Sequence, residues 1–94
     1  MGPLVAAKQV DKVMSYIEKG KKSANLICGG HQLDRAGYFI EPTIFADCTA
    51  DMEIVNNEIF GPVLSVLKFD ELEEAVSLAN NSSYGLVSAV FTTD

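Results

Sequence analysis

Gly61-Pro62 constrains this chain more than any other pair of neighbours in it. Proline locks its own φ and keeps the preceding residue out of the helical region, so the backbone turns or runs extended at Gly61. The apolar run Val63-Leu64-Ser65-Val66-Leu67 follows at once and predicts a buried strand over 63–69. Pro62 has no N–H to give to a ladder and suits the first position of that strand. Glu58 and Phe60, two residues apart on the approach to the corner, then stand at the mouth of a sheet. Binding groups of open α/β sheets gather there.

A carboxylate so placed can accept hydrogen bonds from two neighbouring hydroxyls, such as those of a ribose. A ring two residues on can pack against a flat heterocycle. The plainer reading, a solvated loop glutamate and a core phenylalanine, stays open on spacing alone.

The rest of the chain narrows the classes of function. Its 94 residues make one domain at most, or a piece of one, with a single core. A hydrophobic fraction of 48% is ordinary for a globular chain. The net charge of −6 argues against a nucleic-acid surface. No apolar run reaches the length of a membrane span and no leader is expected before Met1, so no membrane role is expected. Cys28 and Cys48 are too far apart for paired-cysteine metal logic, and His31 is the sole histidine. Neither a metal site nor a Ser/His/Asp or Cys/His nucleophile set is expected, and a reducing, cytoplasmic compartment fits.

In order, Val10, Val13, Met14 and Ile17 recur at helical spacing and predict an amphipathic helix over about 6–21. Gly20 and the lysines at 19, 21 and 22 are expected to close it, as a C-terminal glycine and cations do. Ala24–Cys28 reads as a short strand with Cys28 as a small hydrophobe, ending at Gly29-Gly30. His31 falls in a polar loop. Residues 38–40 and 43–45 read as extended segments split at Glu41-Pro42, hence an edge or irregular strand. Thr49 or Asp51 is placed to cap a short helical turn through Asn56.

Asp70-x-x-Glu73 matches a capping box ahead of a helix ending near Ala79, and Leu86–Phe91 reads as another buried strand. Strand, helix and strand from 63 to 91 make a βαβ unit with a right-handed crossover, and the first helix and the Leu26 strand extend the same sheet. The fold class is α/β, a partial parallel-type sheet with helices, forming one partial domain over residues 1–94. Two helices cover such a sheet poorly, so exposed apolar surface and self-association are expected.

Taken together, the motifs resemble the catalytic domain of NAD(P)-dependent aldehyde dehydrogenases along essentially the whole chain. The resemblance rests on Gly2-Pro3-Leu4-Val5, Cys28-Gly29-Gly30, Gly37-Tyr38-Phe39-Ile40-Glu41-Pro42-Thr43 and Asp51-Met52. It continues through Glu58-Ile59-Phe60-Gly61-Pro62-Val63 and Ala79-Asn80-Asn81-Ser82-Ser83-Tyr84-Gly85-Leu86.

The resemblance implies oxidation of an aldehyde to a carboxylic acid by a complete enzyme with NAD or NADP as cofactor. It implies that Glu58 binds the hydroxyls of the nicotinamide ribose and that Phe60 lines the nicotinamide site. The family's catalytic-cysteine loop and general-base glutamate would lie N-terminal to this stretch. No catalytic residue is therefore assigned within it, and the chain alone is expected to be inactive. Asn57 stands where the family usually has a second glutamate, and the join Lys22-Ser23-Ala24 is one residue short of the usual link and lacks its glycine. The alternative is a stand-alone, non-catalytic α/β module that binds a protein partner.

Overall fold

The stripe of apolar residues near the N-terminus forms the helix it predicts. In the computed structural model, which describes residues 1–94, helix α1 spans Ala7–Ser23 and buries Val10, Val13 and Ile17. Lys21 and Lys22 occupy its last turn, where cations complement the helix dipole. Gly20 does not end the helix. Three more residues follow it in helical conformation, and Ala24 is the C-cap. Glycine is needed at 20 because a Cβ there would lie 2.7 Å from Cζ of Phe45, whose ring is fully buried.

Three strands form one sheet in the order β1-β2-β3: β1 is Asn25–Cys28, β2 is Thr43–Ala46 and β3 is Val63–Ser65. β1 and β2 are antiparallel, with a register irregularity between Leu26 and Cys28. β2 and β3 are parallel, with Thr43 opposite Val63, Ile44 opposite Leu64 and Phe45 opposite Ser65. The second strand is thus central, not an edge. Pro42 precedes its first residue, so the missing N–H falls outside the ladder.

Burial alternates along β2 with the period of a strand: Thr43 and Phe45 are buried, and Ile44 and Ala46 are less so. Phe45 meets α1 on one face of the sheet. Ile44 and its partner Leu64 point the other way, and Leu64 is 56% exposed. One face is covered, and the other lacks a layer of its own.

A short helix, α2 (Glu53–Asn56), links β2 to the corner. Met52 is its N-cap and supplies no side-chain cap, so neither Thr49 nor Asp51 caps it. Thr49 instead donates its hydroxyl to the Asp51 carboxylate. Helix α3 spans Leu72–Asn80 with Glu71 at the N-cap. The capping contact falls one residue later than the sequence pattern suggests: the carboxylate of Glu74, not Glu73, accepts from the Asp70 N–H at 3.1 Å.

The βαβ unit is not formed. β3 ends at Ser65, though the Val66 N–H still reaches the Phe45 carbonyl at 2.9 Å. The cause lies in β2, which stops at Ala46 where Asp47 turns with φ of 54°. Residues 86–91 form no strand because no backbone partner lies beside them: no backbone–backbone hydrogen bond involves residues 82–94. Leu86, Val87, Val90 and Phe91 are almost fully exposed. No helix is long and apolar enough to cross a membrane.

Candidate functional site

Glu58-Ile59-Phe60-Gly61-Pro62 joins α2 to β3, and the core grips it at alternate residues. Ile59 is 8% exposed and belongs to the apolar cluster of Val10, Val13, Ile17 and Phe45. Gly61 lies against α1, where a Cβ would come 2.6 Å from Cγ2 of Val13. The Thr43 N–H donates to the Pro62 carbonyl at 2.8 Å, tying the corner to the head of β2. The Val63 N–H donates back to Gly61 at 2.8 Å and closes the turn.

Between the two gripped residues, Phe60 has a φ of 55°. A non-glycine residue there pays for the approach of its Cβ to the following carbonyl, by about 1–2 kcal/mol. The ring gains little burial in return, since Phe60 is 69% exposed. The core reading of Phe60 therefore fails. The loop holds an aromatic face out to solvent in a conformation its own residue type resists, a feature that clusters at ligand clamps.

Glu58 is exposed too, and takes no part in the ion pairs, which join Lys19 to Glu53, Lys21 to Glu18 and Lys68 to Asp47. Its carboxylate is free to accept from a ligand. Beside the loop runs an open groove of about 340 Å³, walled by Ile54, Val55, Ile59, Phe60, Gly61 and Leu67. An anionic double acceptor, an exposed ring and an apolar recess suit a molecule with a vicinal diol and a flat heterocycle.

Two further contacts stiffen the loop's surroundings. Lys19 of α1 pairs with Glu53 of α2 at 2.8 Å. Hydrogen bonding to Glu53 and its opposite charge hold the Lys19 ammonium above the usual lysine range. The Ser65 hydroxyl donates to the Ile54 carbonyl at 3.1 Å and ties β3 to α2. Asn57 donates its amide to the Glu53 carbonyl at 3.2 Å.

One residue of the site escapes a reading of the sequence. Gln9 donates its Nε2 to the Phe60 carbonyl at 2.8 Å across 51 residues of chain. Its signal was a polar side chain four residues before Val13, on the buried stripe of α1.

The cysteines and the histidine do not converge. Cys28 lies on β1, as its neighbours suggest, and is exposed there, with Sγ 3.8 Å from the Pro42 carbonyl. Cys48 is buried, its Sγ donating weakly to the Phe45 carbonyl at 3.5 Å. His31 lies exposed in its loop and hydrogen-bonds through its backbone carbonyl to Glu41. No three metal-ligating side chains cluster.

The family model described as the aldehyde dehydrogenase family matches residues 1–94. A betaine aldehyde dehydrogenase of Brucella anthropi is 55% identical over all of this chain, which covers 20% of that protein. An aldehyde dehydrogenase of Bacillus cereus, solved as its NAD+ complex, superposes with a TM-score of 0.94 at 54% identity, over 100% of this chain and 19% of that one. The Mycobacterium tuberculosis aldehyde dehydrogenase complexed with NAD+ gives 0.94 at 46% identity, over 100% and 20%. The chain thus spans about a fifth of the length of the relatives it matches.

Proposed function

The chain belongs to the aldehyde dehydrogenase family, and on that premise we propose that it supplies the nicotinamide-ribose part of the cofactor site in an enzyme oxidising an aldehyde to a carboxylic acid. The observation that carries this reading is the exposed ring of Phe60 on a left-handed backbone, two residues from the unpaired carboxylate of Glu58. In it, Glu58 accepts from the two ribose hydroxyls through charge-assisted hydrogen bonds, about twice as strong as neutral ones. Phe60 offers its face to the nicotinamide and keeps water from that side. The bound nicotinamide supplies the hydride acceptor. This chain's residues orient it, and orientation is where much of such a rate arises. NAD is the cofactor on the pattern of the two solved relatives, with NADP the other member of its class.

No residue of the chain is assigned the nucleophile's role. The hydrogen bonds of Cys28 and Cys48 go only to backbone carbonyls, and neither thiol hydrogen-bonds His31. In this reading residues 1–94 alone turn over no aldehyde. NADH formation from short and aromatic aldehydes tests that, and turnover lost on Cys28→Ala or Cys48→Ala would overturn it. The cofactor assignment is tested by NADH titration of the complete protein carrying Glu58→Gln, expected to bind more weakly.

A second reading draws on the apolar surface beyond β3. Leu72 and Val76 of α3 and Leu86, Val87, Val90 and Phe91 beyond it are each exposed. As an independent module, the chain would use that surface to self-associate or to bind a protein partner in the cytoplasm. Light scattering across a dilution series tests it, and a concentration-independent monomer would count against it.

A further inference from the structure

We propose that Ser65 is a positioning residue for the cofactor, holding α2 against the sheet so that Glu58 leaves it in a fixed direction; the inference rests on the cofactor reading above. The Ser65 hydroxyl donates to the Ile54 carbonyl at 3.1 Å. No backbone N–H donates to that carbonyl, one of the orphan acceptors that the end of a short helix leaves. Both ends of the contact are anchored. Ile54 is buried in the core, and Ser65 stands opposite Phe45 in the parallel ladder of β2 and β3.

The other holds on the loop act further along it. Ile59 is buried, Gly61 packs on Val13, and the Pro62 carbonyl accepts from the Thr43 N–H. None of them fixes Glu58 from the side on which the chain enters. There, Asn57 gives both its backbone N–H and its side-chain amide to the Glu53 carbonyl, so the residue before Glu58 moves with α2. Lys19 reaches Glu53 from α1, but through two exposed side chains, where water screens the pair. The Ser65–Ile54 contact is the one hydrogen bond between α2 and the three strands. It spans 11 positions of chain and closes the base of the loop that carries Glu58 and Phe60.

Ser65 and Ile54 both line the groove beside the loop, so water can reach the carbonyl once the hydroxyl is removed. A water satisfies the acceptor but does not hold α2 at one distance from β3. The loss therefore falls on the direction of Glu58 more than on stability. A neutral hydrogen bond of this kind changes an equilibrium by about threefold to tenfold.

The test uses the complete protein with Ser65→Val and Ser65→Thr, which match in shape and suit a strand, and of which only threonine has the hydroxyl. Ser65→Val should weaken NADH, read by fluorescence titration, about threefold to tenfold, and Ser65→Thr should restore most of that loss. KM for NAD should rise more than kcat falls, with Tm moving by a few degrees at most. Ser65→Ala, which loses the hydroxyl and adds no bulk, should repeat the valine defect, and it replaces valine in the comparison if that variant does not fold. Since Ser65 acts through Glu58, Ser65→Val should cost less affinity in a Glu58→Gln background than in the wild type. Unchanged NADH affinity in Ser65→Val and Ser65→Ala overturns the proposal, as do equal losses in the valine and threonine variants. So does a loss confined to Tm and active fraction, which is what a merely structural serine gives, or full additivity with Glu58→Gln. If Glu58→Gln weakens NADH while the Ser65 variants do not, only this inference falls. If neither does, the cofactor reading falls with it.

Discussion

Val13 of α1 and Gly61 of the corner are in such close contact that a Cβ at 61 would lie 2.6 Å from the valine Cγ2. Valine is stiff about χ1 on a helix, so it cannot swing aside. Gly61→Ala must therefore lift the loop off the helix. The expected cost is about 1–3 kcal/mol of stability, the range for overpacking. Denaturant melts of the complete protein check it, and a pairing of Gly61→Ala with Val13→Ala should recover part of the loss.

Gly20→Ala sets two effects against each other. Alanine is the better helix former by roughly 1 kcal/mol. Its Cβ would also come 2.7 Å from the buried ring of Phe45, at the centre of the core. Overpacking of about 1–3 kcal/mol should outweigh the propensity gain, so the substitution destabilises. A raised Tm would show that the Phe45 ring shifts without cost.

These two glycines show how far the residues could be read in advance. The stripe Val10-Val13-Ile17 was legible because helical periodicity and burial agree there. The close approach of Gly20 to Phe45 was not, since the partner lies 25 positions along the chain and nothing local marks it. Cys28-Gly29-Gly30 and Glu41-Pro42-Thr43 stood out as motifs, and they prove to be one junction. Gly29, with φ of 74°, lies where a Cβ would meet the Pro42 carbonyl, and Gly30 N–H donates to the Thr43 hydroxyl at 2.8 Å. The strand expected over Leu86–Phe91 failed for the opposite reason. Its residues have strand propensity, but a strand needs a neighbour, and none lies beside them. Glu58 and Phe60 were legible as candidates, whereas the left-handed turn at Phe60 was invisible, being imposed by packing on both sides of it.

Phe60→Gly should divide stability from function. Glycine adopts φ of 55° without penalty and relieves about 1–2 kcal/mol of strain. It also adds unfolded-state entropy costing about 0.5–1 kcal/mol, and little ring burial is lost. Tm should stay level or rise slightly while NADH affinity drops. A large fall in Tm would mean that the ring is packed in the complete protein.

Two titrations shape the pH response in opposite directions. The Thr49 hydroxyl holds the Asp51 carboxyl below its ordinary value of 3.8. Its contribution is present above that value and is lost as pH falls through the lowered one. Glu53 holds Lys19 above its ordinary 10.5, so that contribution is complete below 10.5 and is lost as pH rises through the raised value. Both groups are exposed, so both effects are small. Thr49→Val should flatten the acid limb only, and Lys19→Met the alkaline limb only, in melts across pH.

The central claim is that Glu58 and Phe60 are held out for a nicotinamide riboside. Glu58→Gln keeps the side chain's shape and removes its charge and one acceptor. Single-turnover hydride transfer in the complete protein, normalised to active sites and run beside a thermal melt, tests the claim most directly. The account predicts slower transfer or weaker cofactor handling at nearly unchanged Tm. Identical kinetics in wild type and Glu58→Gln would contradict it and leave Glu58 a solvated loop residue.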